Sequence, residues 1–286
     1  MTTGPVTRLA VLGSPIGHSR SPLLHAAAYR ELGLDWNYAA VEIDETTLAD
    51  FVASRDDSWR GLSLTMPLKV AVLPLLAEQD FVARATGAVN TVLFERTDGL
   101  RLRGFNTDVT GIVRALAEEG LASARHVEVL GGGATAASAV AAAAELGAER
   151  VIVTVRAPER AAALIEVGRA AGVAVDIRSF AEWSTGAELV ISTLPGGASS
   201  TLVVPADLPA SSTLFDVAYS PWPSPLGTVW SAAGSPVVSG LSMLLHQALV
   251  QVRIFVAGDP AVAIAGEAGV LAAMRAVVND RSVPES

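Results

Sequence analysis

The sequence predicts an α/β protein: a mixed α/β unit, then a doubly wound parallel sheet, then C-terminal helices. Three observations support this fold class. Short apolar runs alternate with helical stretches along most of the chain. A turn signal at Asp98-Gly99 joins two strand-like segments as a hairpin. Three consecutive glycines, starting at Gly131, separate an apolar strand from an alanine-rich helix, as in a βαβ unit.

The first helix has a marked start and end. Ser21 is expected at the N-cap and Pro22 at the first helical position. Apolar residues then follow on one face to Leu32, and Gly33 ends the helix. The other predicted helices of this unit are 46–54 and 68–76, and its predicted strands are 9–12, 36–43, 61–64, 88–94 and 100–105.

Strands and helices alternate through the second half of the chain, which implies a parallel sheet. The predicted strands are 127–130, 151–155, 189–192 and 213–216, with a further apolar pair at 237–238. The predicted helices are 107–119, 134–146, 241–257 and 260–278. We therefore expect domains at 1–106 and 107–240, followed by C-terminal helices at 241–286.

Composition and charge limit the possible functions. The 286 residues are 51% hydrophobic and 17% charged, which is typical of a globular protein with a substantial core. A formal net charge of −9 argues against sequence-independent nucleic-acid binding. The chain has no cysteine, which excludes disulfides, thiolate catalysis and cysteine-based metal sites.

We expect no targeting or membrane segment. Residues 1–6 lack the basic and apolar regions of a secretion signal. The apolar stretch at 134–144 is too short and too rich in alanine to span a bilayer. We expect a soluble, cytoplasmic protein, a monomer or homodimer, whose partner is a small-molecule substrate and neither nucleic acid nor membrane.

The glycine-rich run matches the dinucleotide pattern G-x-G-x-x-A at Gly131, Gly133 and Ala136. Gly131 permits a tight turn, Gly133 allows backbone amides to approach a pyrophosphate, and Ala136 keeps the helix close to the strand. The helix N-terminus supplies N–H groups for the anion. The alternative is an ordinary αβ turn, since glycine and alanine are common in this chain.

The end of the next strand indicates which dinucleotide is bound. An acid at this position would bind the ribose 2′-OH of NAD. The chain has Arg156 there, with Arg160 one turn later, and guanidinium groups match the oxygens of a 2′-phosphate. NADP is therefore favoured. The alternative is a pair of ordinary solvated arginines.

Lys69 and Asp108 form a candidate proton-transfer pair. Each lies at the edge of an apolar strand and the start of a helical stretch. Oxidation of a secondary alcohol removes a hydride from carbon and a proton from oxygen, so a group near the oxygen must accept that proton. The alternatives are a surface lysine at a helix start and an acid that caps a helix.

Ser19 and Ser21 offer two hydroxyls on the same side of an extended backbone, next to a helix N-terminus. This arrangement suits a carboxylate ligand. The alternative is simple N-capping by Ser21, which requires no ligand. The four histidines show no metal-ligand spacing, so no metal site is expected.

Five ordered motifs resemble those of the shikimate dehydrogenase family. They are residues 13–22, 65–69, 87–91, 106–108 and 240–248. The resemblance implies reversible, NADP-dependent reduction of 3-dehydroshikimate to shikimate in aromatic amino-acid and chorismate biosynthesis. It also implies a substrate-binding domain, a Rossmann-type domain for NADP, and C-terminal helices that return to the first domain.

The resemblance also implies roles for individual residues. The implied catalytic pair is Lys69 and Asp108. The implied substrate-binding residues are Ser19, Ser21, Thr65, Asn90, Tyr219 and Gln247. The implied cofactor-binding residues are Gly131, Gly132, Gly133, Ala134, Thr135, Ala136, Arg156, Arg160, Thr193, Val217 and Gly240.

The chain departs from the family pattern at three places. Ser63 stands where the family usually has Asn, which implies a shorter or water-mediated contact with a substrate hydroxyl. Val155-Arg156-Ala157 replaces Asn-Arg-Thr, which implies a weaker preference for NADP. Residues 192–195 replace a more polar loop near the nicotinamide.

Three other functions compete with this interpretation. A quinate dehydrogenase that uses NAD tends to have an acid at the second strand end and Thr as the second hydroxyl, and Arg156 and Ser21 argue against it. A non-catalytic ligand sensor is disfavoured because Lys69 and Asp108 are both present. A folate-linked dehydrogenase lacks the two-serine motif and the segment that contains Gln247.

Overall fold

The computed structural model describes residues 6–97, 99–183 and 186–279. The predicted turn residue Asp98 and the N-terminal residues 1–5 lie outside the described residues, as do 184–185 and 280–286. The chain forms two compact units. Unit 1 contains Met1–Thr107 and Gln247–Ser286, and unit 2 contains Asp108–His246.

Unit 1 is built on a six-stranded mixed sheet. Its elements up to residue 107 are β1 (Thr7–Gly13), α1 (Ser21–Glu31), β2 (Trp36–Glu42), α2 (Leu48–Ala53), β3 (Trp59–Leu64), α3 (Leu68–Ala71), β4 (Glu78–Gln79), α4 (Phe81–Thr86), β5 (Thr91–Glu95) and β6 (Arg101–Phe105). The strand order is β2-β1-β3-β5-β6-β4. β1 pairs in parallel with β2 and β3, and β5 pairs antiparallel with β3 and β6. The predicted mixed α/β unit and its hairpin are confirmed.

Helix α1 differs from the prediction at its start. Arg20 occupies the N-cap position, so Ser21 is the first helical residue and not the N-cap. The predicted end is confirmed, because Gly33 adopts a positive φ of 66°. Pro22 is the second helical residue, one position later than predicted, and it still lies in the first turn, where its missing N–H has no helical acceptor.

Three details of unit 1 were not predicted. Helix α3 is short and is followed by a 3-10 turn at Leu73–Leu75, because Pro74 cannot donate an α-helical hydrogen bond. Strand β4 has only two residues, which is too short for a periodic pattern. Helix α4 is capped by Asp80, whose carboxylate accepts the Ala83 N–H at 2.6 Å.

Unit 2 is a doubly wound sheet of six parallel strands. Its elements are α5 (Asp108–Glu118), β7 (His126–Leu130), α6 (Ala134–Glu145), β8 (Arg150–Val155), α7 (Ala163–Ala171), β9 (Ala174–Ser179), β10 (Leu189–Ser192), α8 (Leu208–Ser211), β11 (Thr213–Asp216), α9 (Pro225–Ala232) and β12 (Val237–Ser239). The order is β12-β11-β10-β7-β8-β9. The predicted parallel sheet is confirmed, whereas α7, β9, α8 and α9 were not predicted.

Two helices complete the chain, α10 (Gly240–Ala257) and α11 (Glu267–Asn279). The part of α10 that belongs to unit 1 lies against β3, where the Arg60 Nε donates to the Phe255 carbonyl at 2.7 Å. A Cβ on Gly61 would lie 2.6 Å from the Phe255 ring, so only glycine allows this approach. Helix α11 packs against α1. The predicted return of the C-terminal helices to the first unit is confirmed.

The chain leaves unit 1 after Thr107 and returns to it after His246. The predicted domain boundaries lie after residues 106 and 240. The second difference arises because α10 is continuous across the boundary. Helix α11 begins at Glu267, seven residues after the predicted start at 260. Arg253 binds both the Glu267 carboxylate and the Pro260 carbonyl, which holds the chain before α11 in a non-helical path.

Among the described residues, α10 is the one helix long and apolar enough to cross a membrane by length and composition. Two-thirds of it, 67%, is buried inside the structure. The core helix of a soluble protein has the same properties. We interpret α10 as a core helix because its unit 1 residues contact the β3 strand.

Candidate active site

Several predicted substrate residues in unit 1 follow the carboxyl ends of strands. The Thr65 N–H, just after β3, donates to the Leu12 carbonyl of β1 at 2.9 Å. This approach requires Gly13, because a Cβ there would lie 2.4 Å from the Thr65 methyl group. Lys69 is half-buried in α3, and its carbonyl accepts the Val89 N–H at 2.8 Å. The backbone of Lys69 is therefore fixed to the segment that leads to β5.

Ser19 and Ser21 lie together at the start of α1. The Ser21 N–H donates to Ser19 Oγ at 3.4 Å, and Ser21 is buried. Because Ser21 is the first helical residue, N-capping does not account for its hydroxyl. The carboxylate-binding role of the pair stays a prediction.

Asn90 joins residues that are distant in sequence. Its Nδ2 donates to Thr107 Oγ1 at 2.8 Å, and its Oδ1 accepts the Thr107 N–H at 2.9 Å. Nδ2 also lies 3.4 Å from Gln247 Oε1, although these residues are 157 positions apart. Two predicted substrate residues are thereby brought together in unit 1. Through these bonds Asn90 also fixes Thr107, the residue immediately before Asp108. Asp108 itself is buried and is the first residue of α5.

A buried polar network beside these residues was not predicted. We call it the Gln251 network and define it as His25, Ser63, Asn90, Thr91 and Gln251. His25 is fully buried, and burial lowers its pKa to about 3, so the ring is neutral near neutral pH. Sequence spacing excluded the histidines as metal ligands but gave no role for this one. The available signal was the position of Gln251, one helical turn after Gln247.

The glycine-rich turn of unit 2 has the predicted backbone geometry. Gly131 adopts a φ of 112°, a conformation that favours glycine. Its N–H donates to the Thr154 carbonyl at 3.1 Å. A Cβ on Gly131 would lie 2.4 Å from Thr193 Oγ1, and this hydroxyl donates to the Leu130 carbonyl at 2.8 Å. The turn therefore brings Thr193 to the glycine-rich run, and its role in cofactor binding stays a prediction.

The start of α6 fits a pyrophosphate. Gly133 is the N-cap, and among the described atoms nothing lies within 4 Å of the place a Cβ would take. Ala134, Thr135 and Ala136 form the first turn, with Ala136 fully buried against the sheet. Gly132 faces Ala161, whose Cβ would be 3.2 Å from an added Cβ. Open space at a helix N-terminus suits an anionic group.

The two predicted phosphate-binding arginines follow β8. Arg156 comes directly after the strand, and Arg160 lies in a 3-10 turn at Pro158–Ala161. Both residues are exposed. The residues present therefore fit a dinucleotide with a 2′-phosphate, because two guanidinium groups lie just after the strand end. An acid at this position would instead favour the unphosphorylated ribose of NAD.

The segment after β11 is shaped by two residues. Asp216 is buried at the strand end and accepts the Ala218 N–H at 3.2 Å and the Ser224 hydroxyl at 2.6 Å. Burial raises the pKa of Asp216. Gly240 allows the Val217 carbonyl to approach, because an added Cβ would lie 2.0 Å from that oxygen. Tyr219, a predicted substrate residue, is half-buried in the same segment.

The structure places Lys69 in unit 1 and both Asp108 and Tyr219 in unit 2. Asp216 and Ser224 were not singled out from the sequence, because an Asp at a strand end and a Ser before a Pro are both common turn features. Within the described part of the chain, no group of three or more His, Asp or Glu side chains could hold a metal ion.

A mixed α/β unit joined to a doubly wound sheet with a glycine-rich dinucleotide turn is an architecture that suits a nicotinamide-dependent oxidoreductase. Residues 11–92 match the family described as shikimate dehydrogenase substrate binding domain. The shikimate dehydrogenase (NADP+) of Geobacter metallireducens is 35% identical over 90% of this chain and 94% of its own length. That of Methanococcoides burtonii is 33% identical over 88% of this chain and 93% of its own.

Solved structures give the same result. Shikimate dehydrogenase from Mycobacterium tuberculosis superposes with a TM-score of 0.81 and 38% identity, over 94% of this chain and 99% of that one. The Thermus thermophilus enzyme in complex with NADP(H) and shikimate has a TM-score of 0.80 and 32% identity, over 95% and 99% of the two chains. The chain belongs to the shikimate dehydrogenase family.

Proposed function

We propose that this chain catalyses the reversible, NADPH-dependent reduction of 3-dehydroshikimate to shikimate, a step of chorismate and aromatic amino-acid biosynthesis, in the cytoplasm. Membership of the family supports the reaction, and the exposed arginines after β8 support NADP. The proposed partner is the small-molecule substrate, and the proposed assembly is a monomer or homodimer.

The observation that carries the mechanism is the identity of residue 69. Lys69 is the single lysine among 20 basic residues, and all the others are arginine. An ammonium group can give up its proton and take it back, whereas a guanidinium stays protonated at any pH used by enzymes. A chain that otherwise uses arginine for positive charge therefore retains lysine where proton transfer requires it.

NADPH supplies the hydride when it is bound. The Lys69 ammonium donates the proton to the carbonyl oxygen, and in the reverse direction its amine accepts the proton from the hydroxyl. Asp108 is the proposed catalytic partner of Lys69. The fixed Lys69 backbone and the Asn90 contacts to Thr107 support precise placement of both residues.

The substrate is a polyhydroxy acid, and the proposed contacts divide accordingly. Ser19, Ser21 and Tyr219 bind the carboxylate. Thr65, Asn90 and Gln247 bind the ring hydroxyls. The distance of 3.4 Å between Asn90 Nδ2 and Gln247 Oε1 supports binding of the same ring by both side chains. Such a site rejects analogues that lack a hydroxyl, because its buried polar groups then lose a partner.

The proposed cofactor site lies in unit 2. The backbone of residues 131–136 receives the pyrophosphate, and Arg156 and Arg160 bind the 2′-phosphate. Thr193 and Val217 line the nicotinamide side. Gly240 acts through Val217, because its missing side chain admits the Val217 carbonyl.

The test of the mechanism is substitution of Lys69. Lys69→Ala should lower kcat about 10²–10⁴-fold, the range for loss of a general acid–base, with a smaller change in KM. Lys69→Arg should be similarly impaired, because it restores charge but not proton transfer. Arg84→Ala removes an exposed positive charge from the same unit and should leave kcat unchanged. A near-normal kcat for either Lys69 variant would remove Lys69 from the mechanism.

The main competing function is a quinate dehydrogenase, which initial rates can distinguish. We expect shikimate with NADP to dominate when shikimate or quinate is combined with NADP or NAD. A preference for quinate or NAD would keep the Lys69 chemistry but change the substrate. If the purified protein binds shikimate yet shows no turnover in any of the four combinations, the ligand-sensor function is the correct one.

A further inference from the structure

The amide of Gln251 is buried and has a defined orientation. Its Nε2 donates to the Asn90 carbonyl at 3.3 Å and to Thr91 Oγ1 at 3.0 Å. A backbone carbonyl can only accept, so the group that faces it must be the NH₂ end of the amide. Oε1 therefore points the other way, toward Ser63 and His25.

The opposite end of this amide collects two donors. Ser63 Oγ donates to Gln251 Oε1 at 2.9 Å, and His25 Nε2 lies 3.2 Å from the same oxygen. Because Oε1 can only accept, His25 carries its proton on Nε2. His25 Nδ1 is then an acceptor and binds the Tyr29 hydroxyl at 3.0 Å. These hydrogen-bond directions do not change near neutral pH, since the pKa of His25 is lowered to about 3.

The network continues to the proposed ring-binding amides. Thr91 Oγ1 accepts from Gln251 and donates to Asn90 Oδ1 at 2.9 Å. Gln251 thus holds Asn90 twice, at its backbone carbonyl and through the Thr91 hydroxyl. Asn90 in turn contacts Gln247 at 3.4 Å. Gln247 and Gln251 lie one turn apart on α10, so both amides face the same strand ends.

We propose that Gln251 is a positioning residue for recognition of the substrate ring. It fixes the Asn90 side chain in one orientation and anchors the turn of α10 that carries Gln247. It also accepts the hydrogen bond that the Ser63 hydroxyl donates, so that this hydroxyl can only accept a further hydrogen bond. The inference rests on the proposed function, because it assigns Gln251 to the same substrate site.

The test is Gln251→Met, which keeps the approximate volume of the side chain and removes the amide. We expect KM for shikimate to rise roughly 10-fold, as for one or two lost hydrogen bonds at a binding site. The KM for NADP should stay within about twofold, and kcat should fall less than KM rises. Gln79→Met is the matched control, since Gln79 lies in β4 outside the Gln251 network.

Thr91→Val is a second, near-isosteric variant that removes the hydroxyl link from Gln251 to the Asn90 side chain and keeps the Gln251 bond to the Asn90 carbonyl. It should raise KM for shikimate about 3- to 10-fold and decides the question if Gln251→Met does not fold. The ratio of variant to wild-type KM should be equal at about pH 6 and pH 8, because His25 does not titrate there.

Unchanged KM for shikimate in both variants would overturn the inference, as would an equal rise of KM for NADP. These results differ from failure of the proposed function, in which the wild-type protein itself would not turn over shikimate. A loss of thermal stability without a change in KM would mean that Gln251 has a structural role only.

Discussion

The neutral, buried His25 predicts a specific sensitivity to acid. Burial lowers the pKa of His25 from 6.5 to about 3, whereas in the unfolded chain the ring is hydrated and titrates normally. Between these two values the unfolded chain binds more protons at this residue than the folded protein. The free energy of unfolding therefore falls as the pH falls through this window, and the contribution of His25 is fully favourable only above it.

The size of the effect follows from the two pKa values. Each unit of pH below 6.5 costs about 1.4 kcal/mol, because the folded state cannot take up the proton. Between about pH 7.5 and about pH 5, His25 should lower the free energy of unfolding by about 2 kcal/mol. This is a large share of the stability of a typical domain.

His25→Gln is the informative variant, because its amide can still donate to Gln251 but does not titrate. Urea denaturation of both proteins at about pH 7.5 and about pH 5 gives the loss of stability for each. Wild type should lose about 2 kcal/mol more than the variant, since all other groups titrate in both. His18→Gln, which replaces an exposed histidine of the same unit, should behave like wild type.

Equal losses for wild type and His25→Gln would refute the reasoning. They would mean that the ring gains water or a counter-charge on protonation, so that burial does not hold its pKa down. A loss for His18→Gln as small as that of His25→Gln would show that the difference does not depend on burial.

Three further outcomes are expected. Arg156→Ala should raise KM for NADP about 10-fold and leave KM for NAD almost unchanged; equal losses would mean that Arg156 does not bind the 2′-phosphate. Gly240→Ala should destabilise the fold by about 1–3 kcal/mol, because the new Cβ would lie 2.0 Å from the Val217 carbonyl oxygen. This clash should outweigh the higher helix propensity of alanine. An unchanged thermal unfolding temperature would contradict this packing. Ser224→Ala should lower the free energy of unfolding by about 2 kcal/mol, since it removes both the N-cap of α9 and a donor to the buried Asp216. Chemical denaturation measures this loss, with Ser211→Ala, which replaces an exposed serine, as the control.

Much of unit 2 could be predicted because its signals are local. The strand Thr213–Asp216 was predicted with its observed bounds, and the Gly131 turn with its unusual backbone. Strand β9 was not predicted, since it lies at the sheet edge and carries the charged residues Asp176 and Arg178 in a partly exposed strand. Its pattern therefore resembles a polar loop more than a buried parallel strand.

Prediction of the candidate site was similarly uneven. Motifs identified the proposed catalytic and substrate residues, because each motif is a short run of sequence with a defined local structure. Whether Ser21 caps its helix depended on where α1 begins, and this start lies one residue away from the predicted one. Neither Gln251 nor Asp216 belonged to the predicted site, because each acts through partners in other elements.

The sequence by itself determined the fold class, the glycine turn, the arginines after β8 and the single lysine, since these depend on residue type and short-range spacing. Only the tertiary structure decided that Gln251 meets Ser63, 188 positions away, and His25, 226 positions away. Helical periodicity places Gln251 on the same face of α10 as Gln247 but does not predict which strand packs against this face. That choice is made when the chain packs, because a buried amide must then find donors and acceptors among whichever side chains the core brings to it.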